Sequence, residues 1–250
     1  MRTTIKEVSA AAGVSVTTVS RVLNNEPYVR SATRQKVEAA IAKLSFRPSV
    51  AARALAGHRS FQIALLYDNP SPYYLYNIQN GARAQCVEHG YRVIFQECDI
   101  SSPRLLADIS GLIDEAHLDG LILSPPVSES PEVLAELKRR SLPFVRIGPG
   151  GDLSVSAYVH MDDAAAAEEM TEHLIGLGHR DIAFIVGHPD HVASQSRLDG
   201  YLRALAKHAI AVRPDRIHQG RFDFDSGCVA GAALLDTADR PTAIFASWTR

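Results

Sequence analysis

Apolar residues recur at helical spacing near the amino end of the chain and give way, after residue 60, to short apolar runs separated by amphipathic stretches. Ile5, Val8 and Ala12 share one helical face and meet Gly13, a residue suited to the left-handed conformation that turns a chain. Ser15 offers a hydroxyl to cap a second helix. Val19, Val22 and Leu23 form its buried stripe, leaving Val16, Thr17, Thr18 and Arg21 to point away. Asn24-Asn25-Glu26-Pro27 breaks that helix, and a third from near Ser31 carries Val37, Ala40, Ile41 and Leu44 and stops before Arg47-Pro48.

Beyond Phe61, apolar runs at 62–67, 92–96, 120–123, 144–147, 182–186, 217–220 and 243–246 predict strands. Amphipathic segments at 74–89, 103–116, 131–140, 164–177, 196–208 and 226–235 predict the helices between them. Such alternation implies parallel sheets covered on both faces. The stretch around Pro149-Gly150-Gly151, with a strand ending at Val159, divides the alternation into two groups. The expected fold class is an all-α helix-turn-helix head (1–46), a linker (47–60) and an α/β core of two doubly wound parallel-sheet lobes (61–158 and 159–250). A ligand cleft belongs at the carboxyl ends of such strands.

A short helix after a tight glycine turn, with Thr, Ser and Arg on its free face, suits the DNA major groove. Short hydroxyl side chains let it approach, and an arginine can donate two hydrogen bonds to guanine O6 and N7. The alternative is a three-helix bundle that only packs, with Arg21 as a solvated charge. Charge favours the reader: residues 1–60 hold ten Lys and Arg against three acids, a net +7, within a chain of net −2. Pro48 and Gly57 bracket about two turns of helix, too short to be stable alone, so that segment should order only against a partner. A plain tether with Leu55 buried is the other reading.

Composition narrows the classes. With 46% apolar and 22% charged residues the chain is neither disordered nor fibrous. No apolar run reaches the roughly 18–20 residues of a membrane helix, and a cytoplasmic protein with no membrane partner is expected. Cys86, Cys98 and Cys228 are widely spaced, as reduced thiols would be. Nucleophile-elbow, phosphate-loop and zinc-protease motifs are absent from the sequence, so neither an enzyme nor a cofactor is expected. His188 and His191, with Pro189 and Asp190 between them, read as a loop rather than a metal site.

Ile5-Lys6-Glu7-Val8, Ala11-Ala12-Gly13-Val14-Ser15, Thr18-Val19-Ser20-Arg21-Val22-Leu23-Asn24 and Thr33-Arg34-Gln35-Lys36-Val37 together resemble the DNA-binding head of the lac and galactose repressor family. Ser9 departs from the usual Ala, at an expected minor packing cost, and Ser49 from the usual Asn. The resemblance implies a DNA site of Ser15, Val16, Thr17, Thr18, Ser20, Arg21 and Asn24. It also implies a hinge helix that wedges Leu55, with Ala52 beside it, into the minor groove.

Asp119-Gly120-Leu121-Ile122, Leu177-Gly178-His179-Arg180-Asp181-Ile182 and Arg197 with Gly200-Tyr201 resemble the periplasmic-binding-protein-like core of the same family. Arg197 matches the arginine that holds effector hydroxyls or carboxylates there, the alternative being a surface salt bridge. Asp162 either meets the effector or caps a helix. Asn69, Tyr73 and Tyr74 fall in the first strand-to-helix loop, where the aromatics either stack on a flat ligand or pack.

The last apolar strand lies four residues before Arg250, and family members run further and carry Ser-Asn-Asp where this chain has Ser247-Trp248-Thr249. A C-terminally truncated member with an incomplete second lobe is therefore expected. The family's homodimer becomes doubtful at this length. The functional expectation is a repressor of a sugar or small-metabolite operon, binding double-stranded operator DNA and a small-molecule effector. The alternatives are a solute-binding or carbohydrate-processing protein with the same core, or a truncated chain that regulates nothing.

Overall fold

The computed structural model describes residues 3–23, 26–46, 59–69 and 71–247, which fall into two compact units, 1–60 and 61–250. In the first unit, α1 (Ile5–Ala12) begins in a capping box. Glu7 N donates to Thr4 Oγ1 at 3.4 Å while Thr4 N donates to Glu7 Oε2 at 2.6 Å. The bonded Thr4 groups hold the Glu7 carboxyl below its ordinary range. Gly13, at φ +64°, ends α1 in the left-handed conformation and sends the chain into α2 (Val16–Leu23). Ser9 fits this turn through its hydroxyl, which donates to the Val14 carbonyl at 2.5 Å. A third helix, α3 (Ser31–Lys43), closes the bundle over Val8, Val19, Val22, Val37, Ala40 and Phe46.

The second unit carries two parallel sheets. The first comprises β1 (Gln62–Tyr67), β2 (Arg92–Glu97), β3 (Gly120–Leu123), β4 (Phe144–Ile147) and β5 (Ala157–Val159), in the order β2-β1-β3-β4-β5. Its connecting helices are α4 (Pro72–Glu88), α5 (Leu105–Ala116) and α6 (Pro131–Arg139). The second sheet holds β6 (Ile182–Val186), β7 (Ile217–Gln219) and β8 (Ala243–Ala246), in the order β7-β6-β8. With it run α7 (Asp163–Gly176), α8 (Val192–Lys207) and α9 (Phe224–Leu235). Val159 pairs with Ile147 in the first sheet, so a division at 158/159 would cut through β5.

Burial explains the arrangement. Ala64, Leu66, Leu121 and Leu123 of the first sheet pack with Ile109 and Ile113 of α5 and Val133 and Leu137 of α6. In the second, Phe184 on the central strand stacks on Tyr201 of α8, ring centroids 4.9 Å apart, and meets Phe245 edge-on at 5.0 Å. Below that sheet, Arg216 is buried and paired: its Nη2 lies 2.6 Å from Asp181 Oδ2 and its Nη1 3.2 Å from Asp215 Oδ2. The α8 helix begins at Val192, four residues before the expected 196, under His191, whose side chain makes no capping bond. Arg197 thus sits inside the helix rather than at its opening.

Candidate functional site

Two separate surfaces gather the chemistry. On the first unit, Ser15 Oγ accepts from Thr18 N at 3.1 Å and lies 2.9 Å from Thr18 Oγ1, so both hydroxyls are spent on capping α2. Thr18 is therefore half-buried instead of pointing away. Thr17 and Arg21, four residues apart, share the exposed helical face, with Val16 exposed and Ser20 half-buried beside it. Arg21 Nε lies 3.7 Å from Glu26 Oε2, but both side chains are largely solvated, so the pair holds the arginine weakly and leaves it able to take a new partner. Asn24, Ala52, Leu55 and the whole expected hinge helix lie outside the described residues.

In the second unit, a cavity of about 320 Å³ opens at the carboxyl ends of the strands, between groups from both sheets. Asn69 and Tyr74 reach it from the turn after β1 and from α4, Val159 from the end of β5, Asp163 from the first residue of α7, His191 from the position before α8 and Arg197 from within α8. Phe222, beyond β7, closes one side. Ser71 shapes the first turn: its backbone N–H donates to Asn69 Oδ1 at 2.9 Å, and its hydroxyl accepts from Tyr74 N at 3.2 Å. Burial raises the Tyr74 phenol above its usual range, partly offset by a hydrogen bond with Ser124.

Arg197 is the polar centre of the cavity. Its Nε donates to Asp163 Oδ1 at 2.8 Å, its Nη1 donates to the Ser247 carbonyl at 2.6 Å, and its guanidinium carbon lies 5.8 Å from the Phe222 ring centroid. The expected alternative of a surface salt bridge is half right, because the bridge exists but lines the cavity. His191 is buried, edge-on to Phe222 at 5.3 Å. Desolvation pushes its imidazole down to about 4, reinforced by His188.

Of the five effector residues expected from sequence, the structure brings together Asn69, Tyr74 and Arg197. Tyr73 does not join them. Because α4 starts at Pro72, Tyr73 and Tyr74 are consecutive helical residues about 100° apart, and Tyr73 stands half-exposed away from the cavity lining. Asp162 caps α7 by accepting from Ala165 N at 2.9 Å and lines a neighbouring depression, while Asp163 faces Arg197. Asp163, His191 and Phe222 were missed by sequence reasoning. The adjacent pair of acids was the one available hint, since a cap uses only one of them.

Residues 4–49 match the family of bacterial regulatory proteins, lacI family, and residues 60–248 match the periplasmic binding proteins and sugar binding domain of LacI family. The chain is 32% identical to the HTH-type transcriptional regulator DegA of Bacillus subtilis, over 98% of this chain and 73% of that one. Catabolite control protein A of Priestia megaterium is 31% identical, over 98% and 74%. Among solved structures, the transcriptional regulator CelR–cellobiose complex superposes with a TM-score of 0.66 at 31% identity, covering 98% of this chain and 74% of CelR. The lac repressor dimer bound to operator and the anti-inducer ONPF superposes at 0.75 with 26% identity, over 98% and 74%.

Proposed function

We infer function from the premise that this chain belongs to the lacI family of bacterial regulatory proteins. It is a DNA-binding transcriptional regulator with an effector-binding core, and not an enzyme. The specific assignments are ours. The exposed Thr17–Arg21 face of α2, with Val16 and Ser20, reads bases in the major groove, and Ser15 and Thr18 hold that helix in shape. Asn24, Ala52 and Leu55 are assigned to DNA from the resemblance alone. The effector, a sugar or related metabolite, enters the cavity around Arg197, as the sugar-bound CelR relative supports. A second copy of the chain supplies the second head, in the cytoplasm where the operator lies.

The observation that carries this reading is a short, capped helix presenting Thr17 and Arg21 to solvent on a unit of charge +7. Selection of duplexes from a random library, followed by titration of the selected site with and without a sugar panel, tests it. Salt-sensitive, sequence-selective binding that a sugar changes is expected. Equal affinity for every duplex, or no binding at low salt, would overturn it.

A further inference from the structure

We propose that Asp163 makes the cavity selective for uncharged ligands, so that the effector is a neutral polyhydroxy compound and not a sugar acid or sugar phosphate. This rests on the cavity being the effector site and specifies what enters it. Among the described residues lining the cavity, Arg197 is the one arginine or lysine and Asp163 the one carboxylate. They are bonded to each other at 2.8 Å, and the Ser247 carbonyl takes a further guanidinium N–H at 2.6 Å. The arginine's charge is thereby balanced before any ligand arrives.

Apart from Arg197, the basic side chains among the described lining residues are two histidines, His160 and His191. His191 is buried against Phe222, in a setting that favours the neutral ring. Asp68, just after β1, and Asp190, next to His191 in the chain, act on His191 and add negative charge. A carboxylate or phosphate entering here would meet Asp163 while gaining an arginine already engaged, and like-charge juxtaposition is costly in a desolvated site. A hydroxyl meets no such conflict, because it donates to a carboxylate and accepts from a guanidinium at once. Phe222, Tyr74 and Val159 supply the apolar wall on which the C–H face of a pyranose rests.

Isothermal titration of the full chain at pH 8, above the ordinary histidine range, with D-glucose, D-ribose and cellobiose against D-glucuronate, D-galacturonate and glucose 6-phosphate tests this. The same titrations are made on Asp163→Asn, whose amide preserves shape and removes charge. Neutral sugars alone should bind the native chain, and Asp163→Asn should gain affinity for at least one acid by about tenfold or more. Because the native panel stands by itself, the outcome does not hang on the variant folding. An acid bound by the native chain and lost on Arg197→Gln would overturn neutral selectivity while leaving the effector reading intact. An unchanged acid affinity in a folded Asp163→Asn would overturn the role of Asp163. Binding of no compound by either protein would count against the effector reading itself, and this inference would fall with it.

Discussion

Arg21 and His191 show how much a single side chain's setting decides. Arg21 is solvated and weakly paired, so replacing it with Ala should leave the melting temperature of the head almost unchanged. On DNA the same change should cost roughly 1–3 kcal/mol and relax preference at one base position. Anisotropy titrations on the selected site and its single-base variants separate this from a phosphate contact, which would weaken all sequences alike.

For His191 the effect lies in stability. Burial holds the folded imidazole at about 4, whereas an unfolded histidine takes its proton near 6.5. Between those values the unfolded chain binds more protons, so the stabilisation present above about pH 6.5 is lost as pH falls toward 4, by a few kcal/mol at most. Asp68, Asp190, His188 and Arg197 act on the same ring. Urea midpoints at pH 7 and 4.5 should therefore differ less in His191→Gln than in the native chain; equal differences would place the acid sensitivity elsewhere.

At the scale of elements, α7 and α8 are held by a close approach at Gly200. A Cβ there would run into the Ala164 carbonyl oxygen and stand 2.9 Å from Glu168 N, both backbone atoms that cannot swing aside. Gly200→Ala should therefore push the helices apart and cost about 1–3 kcal/mol. Gly231, inside α9, has nothing within 4 Å of its would-be Cβ. Gly231→Ala should stabilise the chain by up to about 1 kcal/mol through helix propensity. Chemical denaturation of both variants checks that the same substitution changes sign with its surroundings.

For the whole molecule, the division of charge is the governing feature. A head of +7 on a chain of net −2 concentrates DNA attraction in residues 1–60. Affinity should fall linearly on a logarithmic salt axis, with a slope set by the phosphates neutralised. Each of Arg30→Ala and Lys36→Ala should shift that slope by no more than about one, whereas neutralising changes on the acidic core should leave it unaltered. A slope that responds to the core instead would mean that the head does not govern association.

The sequence by itself determined the elements whose cause is local. Five strands, at 62–67, 120–123, 144–147, 182–186 and 243–246, fall where the apolar runs end. The turn at Gly13 and the cap at Ser15 likewise follow from neighbouring residues. Helix starts were legible to within one or two residues in most cases, including α3 at Ser31 and α6 at Pro131, but the start of α8 was missed by four residues, where His191 provides no capping side chain. The sheet order β2-β1-β3-β4-β5 was decided by tertiary structure, because parallel pairing joins strands far apart in the chain. The cavity was legible only in part for the same reason. Arg197 and Tyr74 could be placed from sequence, but Phe222 and Asp163 lie 25 and 34 positions from Arg197 along the chain. They become its neighbours only when the strand ends converge. Position in a helix shows which way a residue faces, and only the packed fold shows what it faces, which is why Asp163 rather than Asp162 meets the arginine.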